Sequence, residues 1–536
     1  MSNFYVDTVA PKISKQVTPQ TEKIPGRESE MVANNAGGQV FALDMWSYLD
    51  RFLILGSDKP SYYATAQKLT KDAAKNVSVC ISADGVKTVN RIVEISQGGR
   101  APKNDSAVFA LAMCAVSGDA ETVAAAYDAL PKVARIGTHL FQFVDAINSM
   151  GKWNAAAKRG VAAWYTKRDE TRLAVQLLKY QSRNGWSHRD VLRLAHIKPT
   201  NESQSALFRY VTKGAEGVEQ GTIVPQLLID FETLKRGVDS KKVISIIESN
   251  KDISWEMIPT EFQKDVNVMA TLIPGMGVTA LIRKLGQLTS LGLAKPLSTE
   301  LKAIVDKLTD VAAIKSGRVH PITILNAFNQ YKQGHGDKGS LTWTPSQHIL
   351  DALDAAFYDA FQFIESTGQG HLIGVDCSGS MFSYQCIGAS NITAAEAAAV
   401  MALAVAKRES NYWIGGFNTR MGELKISPSM RLDAVLNVMR KFSWGGTDCS
   451  LPMEHAIQQK MSNVNKFIVF TDNETYAGKR QPVQALADYR KRYVHDAKLI
   501  VCGTSVTNFT IADPKDPGML DIAGFDSAVP QLIQSF

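Results

Sequence analysis

Cysteine is scarce in this sequence, and no two cysteines are spaced for joint chemistry. The 536 residues hold six (Cys80, Cys114, Cys377, Cys386, Cys449 and Cys502), with no C-x-x-C pair. That spacing excludes a cysteine zinc site and a disulfide framework and points to a reducing compartment, with the cytoplasm expected. Long apolar runs are missing as well. The longest, Ala394–Ala406, contains Glu396 and falls short of the roughly 18 apolar residues a membrane span needs. The opening stretch, MSNFYVDTVAPKISKQ, has no apolar core, so no secretory signal is expected. There is no G-x-S-x-G elbow and no G-x-x-x-x-G-K-[ST] phosphate loop. Asp376 lacks the second aspartate of the aspartyl-phosphate enzymes, and no set of residues reads as nucleophile, base and orienter. A binding protein is expected, not an enzyme. With 45% hydrophobic and 21% charged residues the chain is globular, and its 38 Gly and 19 Pro have no fixed period, which excludes a fibrous structure.

The charge is uneven. Its net of +7 is mild for the length. Residues 366–536 carry 16 basic and 15 acidic side chains, whereas residues 131–200 carry 13 and 4, more net positive charge than the whole chain. Such a patch is the footprint of a polyanion partner, although a solvated basic helical surface would have the same composition.

Three parts follow one another. Residues 1–36 are polar, with Pro11, Pro19, Pro25 and Gly26 and no apolar periodicity, and read as a loosely ordered tail. Residues 37–365 show apolar residues at three- and four-residue spacing between short Gly, Pro, Asn or Asp breaks, with helices expected at 107–116, 121–130, 139–147, 153–165, 173–180 and 191–196. Many successive helices with short links suggest an all-α solenoid of the HEAT type, although no strict repeat is visible. Residues 366–536 alternate apolar strands (371–376, 412–417, 466–471, 498–502) with helices (393–408, 431–442, 483–492), the pattern of a doubly wound α/β sheet. Ligands sit at the carboxyl ends of such strands.

Those ends carry Asp376-Cys377-Ser378-Gly379-Ser380 and Thr471-Asp472-Asn473-Glu474, with Gly445-Gly446-Thr447-Asp448 between them. If the three loops converge, they offer hydroxyls and carboxylates, hard donors suited to Mg²⁺ or Mn²⁺. The constellation resembles the metal-ion-dependent adhesion site of von Willebrand factor A domains. The resemblance implies Ser378, Ser380 and Thr447 as ligands, with Asp376 and Asp472 in support.

In the basic segment, Leu173, Leu177 and Tyr180 make an apolar stripe, while Arg172, Lys179 and Arg183 fall at i, i+7 and i+11 on one helical face. Gly185 fits a helix C′ position, and Ser187 with Asp190 fits a capping box for the next helix. Arg183, Asn184, Trp186, His188 and Arg189 then surround a helix start that favours phosphate. The mixture of cations with Asn and His suits RNA. Trp186 and His196 read as packing residues. Arg135, Thr138 and His139 repeat the chemistry, and Arg100, Lys132, Lys158 and Arg159 extend the basic surface.

Longer runs carry a wider resemblance: Phe52-Leu53-Ile54-Leu55-Gly56-Ser57 with Tyr62-Tyr63, Arg135-Ile136-Gly137-Thr138-His139-Leu140-Phe141, Gln181-Ser182-Arg183-Asn184-Gly185-Trp186-Ser187-His188, His335-Gly336, the stretch 445–453 and Phe470-Thr471-Asp472-Asn473-Glu474-Thr475. From about Val40 onward the chain resembles the Ro autoantigen family of TROVE-domain proteins. That resemblance implies helical repeats closed into a ring with a basic hole, carrying the von Willebrand factor A-like domain. It implies Y-type noncoding RNA on the outer surface, with the family's outer-surface histidine falling on His188. It further implies single-stranded ends of misfolded RNAs threading the hole, in noncoding-RNA quality control. A protein partner at the metal site, an exoribonuclease in bacteria for example, and a monomeric chain complete the expectation. The competing readings are a protein-interaction scaffold without RNA and a metal-dependent nuclease.

Overall fold

The structure, a computed structural model, describes residues 16–56, 66–183, 185–336, 339–361, 366–386, 391–442, 445–524 and 526–536. Among these, seventeen α-helices run from Met45–Leu55 to Gln347–Asp359. The sequence sets where many begin: Asp44, Asp119, Asn154, Asp169 and Asn201 each place a side-chain oxygen on backbone N–H groups of the first turn. The longest, Ala66–Gly98, breaks at Asp84 (φ −162°, ψ 93°), whose carboxylate caps Lys87 N at 2.8 Å. Each helix buries an apolar stripe, as Leu140, Phe141, Val144 and Ile147 do on Gly137–Ser149. The array returns to its start. Arg318 donates its Nε to the carbonyl of Gln97 at 2.7 Å across 221 residues of sequence, and its side chain lies on Gly99.

The C-terminal domain is a six-stranded sheet, ordered Met519–Ala523, Lys498–Gly503, Lys466–Thr471, His371–Asp376, Tyr412–Phe417 and Met421–Glu423. Neighbours are parallel except the last, an antiparallel edge. Strand alternation assigns the faces. Ile373, Val375, Ile468, Phe470 and Ile500 join a core shared with the helical region, while Leu372, Phe467, Val469, Leu499 and Val501 build a second core. The order reverses between His371–Asp376 and Lys466–Thr471, where a doubly wound sheet opens its ligand crevice. Buried ion pairs join the two regions. Arg51, without exposure, reaches Asp521 and Thr507 beside Gly503, where a Cβ would fall 2.9 Å from the guanidinium carbon. Arg100 donates to buried Asp526 at 2.9 Å.

Two expectations need correction. The N-terminal segment is not a loose tail over its described part. Met31–Ala33 and Gln39–Ala42 form a small sheet with Phe509–Thr510, and Ile24, Met31, Val40 and Phe41 complete the second core. Its polar residues bond to the C-terminal domain, which is why it carries no apolar period. Residues 1–15 lie outside the described residues. Gly185 is likewise not a helix terminus. The helix Glu170–Lys179 ends earlier, at Tyr180, and Ser182–Arg183 pairs with Trp186–Ser187 as a two-residue ladder, Gly185 taking φ +80° in the turn. The capping box of Ser187 and Asp190 is present.

Candidate polyanion cavity and candidate metal centre

Helix ends far apart in sequence meet around a cavity of about 640 Å³. Its wall includes Arg135, Thr138, His139, Lys179 and Arg183, and cations that sequence spacing did not single out: Lys103, Arg283 and Arg318. The two acids on the wall are Asp105 and Glu256, and Glu256 lies 3.5 Å from Lys179. Arg135 donates Nη1 to Ser96 O and Oγ at 2.9 and 2.7 Å. Burial, then the charge of Arg318, pushes the Arg135 guanidinium below its ordinary pKa. Two guanidiniums thus face each other, and among the described residues Arg135, Arg183, Arg283 and Arg318 have no ion pair with a carboxylate. Like charges held together without counterions make an anion site. His139 is brought down to about 4 by burial and by Arg135, so the cavity keeps it neutral.

Other expected residues lie elsewhere. The helix ending at Lys179 removes Arg183 from its phase, so Arg172 points to solvent beside Asp169 and does not line the cavity. Arg189 is exposed on His188–Ala195, away from it. His188 is buried. Its Nδ1 meets the Tyr165 hydroxyl at 2.8 Å, its Nε2 lies 3.2 Å from Gln176 O, and its ring packs on Phe141 and Trp164. A Cβ on Gly137 would come within 2.9 Å of that Nε2, so this glycine admits the imidazole beneath the Arg135–His139 turn. Burial takes His188 down to about 3. His188 therefore supports the wall of the segment and presents no edge to solvent. Asn184 lies outside the described residues. Trp186 is half-buried, donating Nε1 to Asp145 at 3.0 Å.

The three loops at the sheet's carboxyl edge do converge. Asp376 accepts from Ser378 N at 2.9 Å and from the Thr471 hydroxyl at 2.6 Å. Ser378 and Ser380 bring their hydroxyl oxygens to 3.1 Å, and Gly379 N donates to Gly445 O at 3.1 Å, drawing in the Thr447 loop. All five expected residues are buried. Thr447 Oγ1 and Asp472 Oδ2 are buried without a hydrogen-bond partner. Burial, then the charge of Asp472, raises Asp376 to about 7, and burial raises Asp472. Orphaned oxygens and mutually repelling buried carboxylates are the state a divalent cation relieves. The donor set fits Mg²⁺ or Mn²⁺, with Ser378, Ser380, Thr447 and the two aspartates able to hold it. Among the described residues no group of three or more His, Cys, Asp or Glu is placed to hold a metal ion. Cys377 is buried with its thiol directed to Val375 O, away from these donors.

Residues 32–223 and 247–330 match the TROVE domain family, and residues 371–536 match the Ro60 vWA domain family. The chain belongs to the Ro60 family. It is 36% identical over 521 residues to the RNA-binding protein RO60 of Deinococcus radiodurans, covering 97% of each chain. It is 33% identical over 598 residues to the RNA-binding protein RO60 of Caenorhabditis elegans, covering 97% of this chain and 92% of that one. The crystal structure of the Deinococcus radiodurans RO (RSR) protein superposes with a TM-score of 0.69 at 34% identity, over 92% of this chain and 99% of that one. The Ro60 fold, a helical TROVE region with a C-terminal α/β domain, thus matches the architecture of this chain. The match extends N-terminal to Val40, where the sequence resemblance stopped, because segment 16–42 is built into the C-terminal domain. Lys103, Arg283 and Arg318 lie outside the dense basic segment, each beside one scattered cation (Arg100, Lys284 and Lys315), and only the packing of the helical array joins them to it. Among the described residues, no helix is long and apolar enough to cross a membrane.

Proposed function

We propose that this chain is an RNA-binding protein of noncoding-RNA quality control, acting within a ribonucleoprotein in the cytoplasm. Single-stranded ends of misfolded or damaged RNAs enter the basic cavity, and structured Y-type RNAs bind the outer surface near the exposed Arg172 and Arg189. The observation that carries this reading is the convergence of six cations on one cavity, four of them without a carboxylate partner. Phosphates entering there replace guanidinium repulsion with charge-assisted hydrogen bonds, and the binding is largely blind to base identity. The chain is a binding protein and not an enzyme. The candidate metal centre takes Mg²⁺ or Mn²⁺ through Ser378, Ser380 and Thr447, with Asp376 and Asp472 in support. A bound cation there supplies an open position for an acidic group of a protein partner, an exoribonuclease in bacteria for example.

The deciding experiment is crosslinking and sequencing of RNA that copurifies with the chain, compared with the Arg135→Ala/Arg318→Ala variant. Small noncoding RNAs crosslinked in the wild type, with crosslinks of single-stranded ends lost in the variant, support the reading. A chain that carries no RNA before or after RNase treatment overturns it and leaves the protein-interaction scaffold.

A further inference from the structure

The Thr447 and Asp472 loops are tied to each other by a side chain from the opposite end of the chain. Gln20 is fully buried. Its Oε1 accepts from the Thr475 hydroxyl at 2.6 Å and from Gly478 N at 3.0 Å. Its Nε2 donates to Asp448 Oδ1 at 2.7 Å and to Arg480 O at 3.0 Å. A primary amide has two donors and an acceptor oxygen with two lone pairs, so the whole capacity of Gln20 is spent on these two loops. The consequences reach the cation donors directly. Thr475 Oγ1 also accepts from Cys449 N at 3.0 Å, two residues beyond Thr447, and Thr447 O accepts from Tyr476 N and Ala477 N at 3.0 and 2.9 Å. Asn34 Nδ2 donates to Asn473 O and Thr475 O at 3.2 and 2.7 Å, beside Asp472. The receiving loop is shaped for this contact: a Cβ on Gly478 would stand 2.3 Å from Gln20 Nε2 and 2.4 Å from Asp448 Oδ1.

We propose that Gln20 is a positioning residue of the cation site, and that segment 16–38 is a strap which sets the separation of Thr447 Oγ1 from the Asp472 carboxylate. This rests on the reading of that centre as a Mg²⁺ or Mn²⁺ site. Mg²⁺ demands near-ideal octahedral donors at short distances, so two donors on two loops must be held together before the ion arrives. Without Gln20 the loops keep their strands and the direct bonds of Thr447 O and Cys449 N to residues 475–477, but lose the buried amide that joins Asp448 to Thr475, Gly478 and Arg480. Cation affinity is therefore a property of the N-terminal segment as much as of the domain that carries the donors.

Calorimetric titration of the full chain with MgCl₂ or MnCl₂, and the electron paramagnetic resonance signal of bound Mn²⁺, test this. Gln20→Ala is expected to weaken cation binding about 10- to 100-fold, the usual effect of losing a group that orients ligands. Its metal-free thermal unfolding remains one cooperative transition, and its affinity for a tailed RNA duplex is unchanged. Gln20→Glu weakens the ion too, by setting a carboxylate against Asp448 Oδ1 and the Arg480 carbonyl. A general loss of packing would weaken RNA binding and broaden the unfolding transition as well. Should Gln20→Ala fail to fold, Gln20→Asn, an amide one methylene short, is read instead and is expected to lose several-fold. If the wild type takes up neither ion, the cation site and the strap fall together. If the wild type binds and the alanine or asparagine variant binds equally, the strap alone falls.

Discussion

Arg135 and Arg318 repel each other across the cavity wall, and an entering phosphate relieves that repulsion. Each cation that meets a phosphate releases counterions, so the logarithm of RNA affinity should fall with the logarithm of salt by about 0.7 per contact on a single strand. Arg318→Ala and Lys179→Ala should each shallow that slope by about this amount in fluorescence-anisotropy titrations, whereas Arg172→Ala should leave the slope for a single-stranded end unchanged. Glu256 lies 3.5 Å from Lys179 on the cavity wall, so Glu256→Gln should tighten RNA binding and steepen the slope. His188 has a different role. Its folded pKa is about 3, below the ordinary 6.5, so its contribution is whole above pH 6.5. As pH falls from 6.5 toward 3, the unfolded chain takes up a proton that the folded chain refuses, and stability drops. His139 and His320, both brought down to about 4, act in the same direction. Thermal unfolding at pH 7.5 and pH 5 should show that loss, and it should shrink in His188→Gln. His188→Ser should cost about 2–4 kcal/mol in denaturant titration, because it opens a cavity under Gly137 and strands the Tyr165 hydroxyl. Wild-type stability in that variant together with lost RNA binding would return the ring to the RNA surface.

Strands, helices and loops divide the work unequally. The four central strands were legible because a strand buried on both faces is a short, wholly apolar run, as in KFIVFT at 466–471. The edge strand Met421–Glu423 is only three residues long and the outer strand Met519–Ala523 is broken by Asp521 at its centre, so neither carries such a mark. The loops of the candidate metal centre were legible as a motif, but their orphaned oxygens at Thr447 and Asp472 are a property of packing. Asp376→Ala should abolish Mg²⁺ uptake in a calorimetric titration while leaving RNA affinity intact, since the cavity belongs to the helical region. A variant that still binds the ion at wild-type affinity would remove Asp376 from the site. Arg51 shows what joins the two regions: Arg51→Ala leaves Asp521 without its partner, and breaking a buried pair costs about 3–5 kcal/mol. Chemical denaturation should show that loss.

Over the molecule as a whole, closure of the helical array would restrict how RNA could enter it. The contact of Arg318 with Gln97 joins the last helices of the array to the first, and Arg100, next to that seam, is held by Asp526 of the C-terminal domain. If the closed array is threaded, only a free single-stranded terminus can pass. A duplex with a single-stranded 3′ tail should then bind tightly and its blunt-ended counterpart poorly, because an A-form helix is wide. Circularising the tailed RNA should abolish the tight mode and spare outer-surface binding. Gel-shift titrations of matched linear and circular RNAs that give equal affinities would mean that RNA lies on a surface and threads nothing.

Local pattern in the sequence was enough for the helix start at Ser187, the four central strands and the basic density of residues 131–200. Those features follow from period, capping chemistry and charge count, which are properties of neighbours along the chain. Which cations share a cavity, that His188 turns inward, and that Gln20 reaches the Asp472 loop 455 residues away are properties of neighbours in space. An exposed histidine and a buried one have the same one-letter signature, and a polar segment that bonds to another domain reads like one that bonds to water. Only the packed chain distinguishes them, because the cost of burying a polar group depends on the partner it finds there.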